Sequence, residues 1–120
     1  METKVLGTRE VLDHHIRALG RGDVDAILDD YTEESVLMVQ EAALKGLVAI
    51  RAAFVAYLDG LLKPGTYELT MDSVRIDGEV AHAIWHAQCV GADIAFATDT
   101  FVVKGGKIAL QTFAGKVVPH

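Results

Sequence analysis

The stretch ATDTFVVKGGKIALQTFAG, residues 97–115, contains two alternating apolar segments on either side of Gly105-Gly106. A Gly-Gly pair between such segments is a strong signal for a tight hairpin, because both turn positions require positive φ. The pattern therefore predicts two long antiparallel strands, at residues 94–103 and 107–118.

Asp99 lies in the middle of the first of these strands. Strand side chains alternate with period two, so Asp99 shares a face with Ala95, Ala97, Phe101 and Val103. A charged, unpaired carboxylate among apolar neighbours costs on the order of several kcal/mol. The Asp99 carboxyl group must therefore be solvated, hydrogen-bonded or protonated, and each alternative gives it a different role.

The rest of the chain predicts three helices followed by a meander of four long strands. Apolar residues at helical spacing mark the helices, and Asp23 is placed to cap the second one. The helices are predicted at 8–19, ending near Gly20, at 24–31 and at 47–62, and further strands at 35–40, 67–76 and 80–90. Helices segregated from an antiparallel sheet define an α+β domain, and 120 residues suffice for one domain, 1–120.

The composition excludes several classes of partner. A net charge of −6 with scattered Lys and Arg argues against nucleic acid and anionic membranes. No apolar run approaches the roughly 20 residues of a membrane span, and the start of the chain carries charges around a very short apolar pair, so we expect a cytoplasmic protein. Cys89 is the single cysteine, which excludes an internal disulfide and favours a buried structural role.

One face of the predicted sheet is covered by helices, and the other must contact water or a partner. The even positions Phe96, Thr98, Thr100 and Val102 and the strand face 81, 83, 85, 87 and 89 are apolar or neutral. Such faces are commonly buried in interfaces, so we expect a homodimer.

Histidines are candidates for chemistry. His15 lies in the middle of the apolar stripe of the first helix and should point inward, whereas His14 should be exposed. His82 and His86 share a strand face with Gln88 and are about 13 Å apart, so they do not form a helical zinc pair and no metal is expected. The turn after the 80–90 strand can bring His86 beside the strand of Asp99, an arrangement that tunes proton transfer toward neutral pH.

Three segments carry a resemblance to a known family. The runs HHIRALGRGDVDAILDDYTEESVLMV (14–39), KGLVAIRAAF (45–54) and residues 97–115 resemble the nuclear transport factor 2-like superfamily, especially its SnoaL-like and ketosteroid-isomerase-like members. The resemblance implies a cystatin-like α+β roll, in which a curved mixed or antiparallel sheet wraps around N-terminal helices as a cone. It also implies an apolar pocket, and usually a dimer.

The resemblance also suggests roles for individual residues. Asp99 matches the acid that, in ketosteroid isomerases, stays protonated and donates to the substrate oxyanion. His15 aligns with the other oxyanion donor, a tyrosine, and Phe54 with a supporting tyrosine. Val39 occupies the position of the general base, so steroid isomerisation of the usual kind is not expected. SnoaL-like cyclases are similar in using a sheet aspartate with a histidine on an adjacent strand, here Asp99 and His86.

The sequence thus predicts a small-molecule-binding protein that performs cofactor-free acid/base chemistry, of isomerase, cyclase or dehydratase type, on an apolar carbonyl or hydroxy compound. Asp99 would transfer a proton or bind an oxyanion, with His86 and His15 as partners. The alternative is a non-catalytic ligand-binding or dimerisation module of the same fold. The residues expected to line the pocket are Gln40, Phe54, Leu58, Gln88, Phe101, Gln111 and Phe113.

Overall fold

The computed structural model describes residues 6–120. The residues before Leu6, which carry part of the N-terminal charge pattern used for the cytoplasmic prediction, lie outside the described part. The helices are α1 (Thr8–Arg21), α2 (Val24–Leu28) and α3 (Leu47–Asp59). The strands are β1 (Val36–Met38), β2 (Ala43–Lys45), β3 (Glu68–Asp77), β4 (Val80–Gln88), β5 (Ala92–Lys104) and β6 (Lys107–Pro119). The predicted α+β order is confirmed, with β2 as one additional short strand that the sequence did not indicate.

The six strands form one curved, open sheet in the order β2-β1-β6-β5-β4-β3. Strands β3 to β6 make the predicted antiparallel meander, and β1 joins β6 in parallel. A bulge on β5 beside Ala95 shifts its pairing with β4 between Trp85 and Ala87 and its pairing with β6 between Ile94 and Phe96, and the pairing of β3 with β4 shifts between Met71 and Ser73. Because bulges bend strands and increase their twist, these interruptions help the sheet to curve around the helices.

Helix α1 ends at Arg21, two residues later than predicted, and Gly22 caps it. Gly22 adopts φ 67°, and its N–H bonds to the carbonyl oxygens of Ala18 and Leu19. A Cβ atom at this position would lie 2.3 Å from Cγ of Pro64, in the loop after α3. Asp23 then caps α2 as expected, because its side chain accepts a hydrogen bond from the Ala26 N–H at 3.0 Å.

The hydrophobic core lies between the helices and the inner, concave face of the sheet. In α3, Ile50, Phe54 and Leu58 are buried against this face. Leu12 of α1 and Ile108 of β6 are also fully buried there. Among residues 6–120, no helix is both long and apolar enough to cross a lipid bilayer.

One of the two faces expected in a dimer interface turns out to be the inner face. Ala81, Ala83, Trp85, Ala87 and Cys89 are buried against the interior, so this part of the interface prediction is wrong. The sequence showed correctly which residues of β4 share a face, but whether that face points inward depends on how the sheet curves. The inner face continues on β5 through Ala97 to Val103 in alternate positions, whereas the bulge beside Ala95 leaves that residue exposed.

Candidate active site

A cavity of about 590 Å³ opens between α1, α3 and the inner face of the sheet. Its walls are mostly aliphatic and aromatic, which is the usual composition of small-molecule sites. Polar groups reach it from His15, Asp99 and Gln111, and from the rings of Tyr57, Tyr67 and Trp85. The aliphatic walls include Leu12, Leu19, Leu37, Leu62, Leu69 and Met71. The cavity is therefore suited to an apolar molecule that presents a few polar atoms to one wall.

Asp99 lies on that polar wall, at the centre of β5, and is 6% exposed. Its two carboxyl oxygens accept hydrogen bonds from different strands. The Trp85 Nε1–H of β4 donates to Oδ1 at 2.8 Å, and the Gln111 Nε2–H of β6 donates to Oδ2 at 2.8 Å. Of the alternatives left open by the sequence, Asp99 is a buried and hydrogen-bonded carboxyl group.

Burial raises the pKa of Asp99 above its usual value. The hydrogen bonds from Trp85 and Gln111 and the charge of His82 act in the opposite direction, because each stabilises the carboxylate, but burial dominates. A carboxyl group with a raised pKa can both accept and release a proton nearer neutral pH than a surface aspartate can.

A further buried hydrogen bond extends from Gln111 to Tyr31. The Tyr31 hydroxyl donates to Gln111 Oε1, and Tyr31 is 3% exposed. Four buried side chains from four parts of the chain, Tyr31, Gln111, Asp99 and Trp85, thus form one continuous network. The sequence did not single out Trp85 or Tyr31 as site residues. The hairpin register would have suggested Trp85, because its strand neighbour Ala83 pairs directly with Asp99.

His15 points into the interior, as predicted, and lines the cavity. Its ring contacts those of Phe101, Phe54 and Tyr31, with centroid distances of 5.4, 5.8 and 6.0 Å. Burial, and to a lesser extent the neighbouring His14, lowers the pKa of His15 to about 4. The imidazole is therefore neutral at pH 7. Its Nδ1 is buried and has no hydrogen-bond partner among residues 6–120.

The structure does not bring His86 to Asp99. Residues paired across neighbouring strands share a face, and Asp99 pairs with Ala83, so the inward positions of β4 are odd-numbered. His86 lies on the outer face, where its Nδ1 is 2.7 Å from Asp72 Oδ2. The expected pairing of His86 with Asp99 is therefore wrong, because the two side chains lie on opposite faces of the sheet. His14 also differs from expectation, since it is half-buried and its Nδ1 lies 2.8 Å from the buried carboxylate of Asp30.

Of the seven residues expected to line the pocket, four do so, one is buried beside it and two are exposed. Phe54, Phe101, Gln111 and Phe113 do line the cavity. Leu58 is buried in the core beside it, without being part of its wall. Gln40 is exposed and accepts a hydrogen bond from the Gly115 N–H, and Gln88 is exposed at the end of β4. Tyr57 lines the cavity although the sequence gave no reason to choose it over its neighbours on α3.

No group of three or more His, Cys, Asp or Glu side chains within residues 6–120 is arranged to hold a metal ion. Val39, which the resemblance aligns with the general base of ketosteroid isomerases, is partly buried and packs against the core. Among the described residues that line the cavity, Asp99 is the only one with a carboxyl group.

The curved sheet, the helices against its concave face and the cavity define a cone-shaped α+β ligand-pocket domain. Solved structures with this architecture include a protein of Sinorhizobium meliloti provisionally assigned as a polyketide cyclase. It is 22% identical, with a TM-score of 0.74, and the match covers 86% of this chain and 92% of that one. A cystatin-fold protein of Novosphingobium aromaticivorans is 13% identical, with a TM-score of 0.74 and coverage of 90% and 97%.

The epoxide hydrolase/cyclase-like enzyme SalBIII, with a role in pyran ring formation in the polyether salinomycin, is 19% identical, with a TM-score of 0.77 and coverage of 94% and 95%. Comparison with curated proteins produced no match. The sequence itself matches the SnoaL-like domain over residues 12–111. The chain belongs to the SnoaL-like domain family, in agreement with the resemblance noted in its sequence.

Proposed function

We propose that the protein catalyses cofactor-free acid/base chemistry on an uncharged, apolar carbonyl or hydroxy compound, with Asp99 as the proton-transfer group. The observation that carries this proposal is a buried carboxyl group with a raised pKa on the wall of an apolar cavity. Proton transfer by a positioned side chain accelerates reactions by about 10²- to 10⁴-fold. An apolar pocket provides both the substrate affinity and the pKa shift.

The charge of the cavity supports an uncharged substrate. None of the residues within 6–120 that line it is Lys or Arg. A carboxylate or phosphate on the substrate would lie near Asp99 without a compensating cation, and both charges would lose hydration. A neutral ketone, ester or alcohol avoids this penalty.

His15 is suited to bind the substrate oxygen. A neutral imidazole carries one N–H donor and one acceptor nitrogen, and it can polarise a carbonyl group without becoming charged. In this reaction Asp99 takes a proton from the carbon next to the carbonyl group, and the electron pair moves to the carbonyl oxygen. His15 donates a hydrogen bond to that oxygen. A proton then returns from Asp99 to carbon, which makes the step reversible and balanced; in D₂O the carboxyl proton first exchanges with solvent, so that a deuteron is returned.

Exchange of hydrogen for deuterium next to a carbonyl group tests this chemistry without knowledge of the natural substrate. In D₂O, the wild-type protein should accelerate exchange at the α-carbon of 2-tetralone, a neutral bicyclic ketone, as followed by proton NMR. Asp99→Asn should reduce the rate to the background while leaving ketone affinity within about tenfold. The exposed Asp77→Asn on β3 should retain the wild-type rate.

The outcomes separate catalysis from binding. Equal exchange rates in wild type and Asp99→Asn would refute the role of Asp99. If the wild type binds neutral apolar ketones and alcohols but accelerates no exchange, the protein is a non-catalytic ligand-binding module of the same fold.

We also propose a homodimer that forms through the outer face of the sheet. This face carries the partly exposed neutral side chains of Thr98, Thr100 and Val102, with Met38 and Phe96 at 45% and 53% exposure. Thr100→Lys at its centre should give a monomer in sedimentation-velocity runs at micromolar concentration, whereas Val48→Lys, at an exposed position of α3, should not. A monomeric wild type would contradict the proposal. The cytoplasmic location stays a prediction.

A further inference from the structure

In the network from Tyr31 to Trp85, the indole of Trp85 can only donate a hydrogen bond, whereas the amide of Gln111 can donate or accept one. The Trp85 indole N–H is a donor only, so Asp99 Oδ1 always accepts from it. The Gln111 side chain carries a donor at one end and an acceptor at the other, and each end has a single partner. In the observed arrangement, Tyr31 donates to Gln111 Oε1 and Gln111 Nε2–H donates to Asp99 Oδ2. This arrangement matches an ionised Asp99.

The same side chains can form a second arrangement, in which Asp99 stays hydrogen-bonded on both oxygens when it is protonated. Trp85 keeps Oδ1 as an acceptor, so the proton belongs on Oδ2, which faces Gln111. The O–H of Asp99 then requires an acceptor where Gln111 presents a donor. Rotation of the terminal amide by half a turn supplies Oε1 to Asp99 and turns Nε2–H toward the Tyr31 oxygen, which changes from donor to acceptor.

We propose that Gln111 is a positioning residue that rotates its amide when Asp99 gains or loses a proton, so that both protonation states of Asp99 stay hydrogen-bonded. The inference deepens the proposed function, in which Asp99 must act first as a base and then as an acid. With the observed amide orientation, the O–H of a protonated Asp99 would have no acceptor, which costs about 1–3 kcal/mol at this depth, and the rotation supplies that acceptor. The Tyr31 O–H then turns away from Gln111. No proton passes through the amide, which only exchanges donor for acceptor.

Any test must distinguish the titration of Asp99 from that of other ionisable groups around the network. They are His15 on α1, Asp30 and Tyr31 at the end of α2, Tyr57 on α3 and His82 on β4. A chemical-shift change alone could arise from any of them. Nuclear Overhauser contacts of the Gln111 amide protons report which partner those protons face, and they are independent of nearby charges.

The experiment uses the ligand-free protein labelled with ¹⁵N at glutamine side chains and with ¹³C at aspartate carboxyl groups. Above the midpoint of the Asp99 carboxyl titration, the Gln111 amide protons should contact the Trp85 indole proton. Below the midpoint, they should contact the Tyr31 ring protons. His82→Gln removes the histidine charge that acts on Asp99, and the exchange of contacts should persist in this variant. Unchanged amide contacts across the titration would overturn the proposal.

Asp99→Asn provides a permanent analogue of the protonated state. Trp85 requires the side-chain oxygen at this position, so the new amide nitrogen must point toward Gln111 as a donor. The Gln111 amide protons should then contact the Tyr31 ring at every pH. Contacts to Trp85 in this variant would also overturn the proposal. Because neither readout requires a substrate, failure of the deuterium-exchange assay and failure of this inference can be distinguished. If Asp99→Asn did not fold, the titration of the wild type would decide alone.

Discussion

The indole N–H of Trp85 donates to Oδ1 of Asp99 at 2.8 Å across the β4–β5 hairpin, inside the cone and away from bulk water. Both residues come from strand faces made mainly of alanine and other apolar residues. The tryptophan therefore serves as cavity wall and as hydrogen-bond donor to the one carboxyl group that the described residues place on that wall.

Removal of this donor should raise the pKa of Asp99 further. The hydrogen bond stabilises the carboxylate, so Trp85→Phe leaves burial less opposed and moves the ¹³C carboxyl titration to higher pH. The free energy of unfolding should fall by about 1–3 kcal/mol, the cost of leaving a buried acceptor without its donor, plus the packing lost with the larger ring. Urea denaturation measures this change. An unaltered Asp99 titration would contradict the expected role of the indole.

His15 should make the protein sensitive to acid. The folded-state pKa of His15, about 4, lies below the unfolded value of 6.5, so the unfolded chain binds a proton that the native protein does not. Stability contributed by this difference is present above pH 6.5 and is lost as the pH falls to about 4. The loss should reach about 3 kcal/mol by linkage.

Substitution at position 15 checks this assignment. In His15→Leu, the free energy of unfolding should depend less steeply on pH between 6.5 and 4 than in wild type, as measured by urea denaturation at each pH. Phe54→Leu is the matched control, because it removes a ring from the same buried cluster without removing an ionisable group, and it should keep the wild-type dependence in that window. Identical slopes in His15→Leu and wild type would rule out His15 as the source.

Two glycines at the end of α1 should respond differently to substitution. Gly22→Ala forces a Cβ atom into positive φ and to 2.3 Å from Pro64, so we expect the free energy of unfolding to fall by about 1–3 kcal/mol. Gly20 lies inside α1, and a Cβ atom added there would have nothing within 4 Å, so Gly20→Ala should be neutral or stabilising by up to about 1 kcal/mol. Thermal unfolding of both variants measures the contrast, and equal effects would contradict it.

The space beside Asp99 should control ligand binding. Ala83 pairs with Asp99 and lines the cavity, so Ala83→Leu places added carbon atoms where a ligand would contact the carboxyl group. We expect at least about tenfold weaker binding of 2-tetralone by titration calorimetry, equivalent to about 1.4 kcal/mol. Ala114→Leu adds the same volume on an exposed position of β6 and should bind as wild type does. Equal affinities in both variants would place the ligand elsewhere.

Local patterns in the sequence were sufficient for most of the fold. Helical spacing identified α1 to α3, the Gly105-Gly106 pair identified the β5–β6 hairpin, and Asp23 was identified as a cap. These features depend on contacts between residues close in the chain, which composition and spacing report directly. Strand β2 was not predicted, because Ala43–Lys45 is short and mostly exposed, whereas the equally short β1 lies within a longer apolar run at 35–40.

The site was predicted less completely, because it depends on which way a strand face points. Asp99, His15, Phe54, Phe101, Gln111 and Phe113 were assigned to the pocket from sequence, and they line the cavity. His86 was assigned there too, yet it lies on the outer face with Asp72. Alternation shows which residues share a face, but it does not show which of two apolar faces a curved sheet turns toward its helices.

Local periodicity and turn chemistry are enough to show that this chain forms an α+β domain with an acid in the middle of an apolar strand. The surroundings of that acid depend on how the chain folds as a whole. Curvature of the sheet brought Trp85, Gln111 and Tyr31, which lie far apart along the chain, into one buried network around Asp99 and left His86 outside. Residues that are distant along the chain become hydrogen-bond partners only when the sheet packs around the helices, and that packing depends on the whole chain.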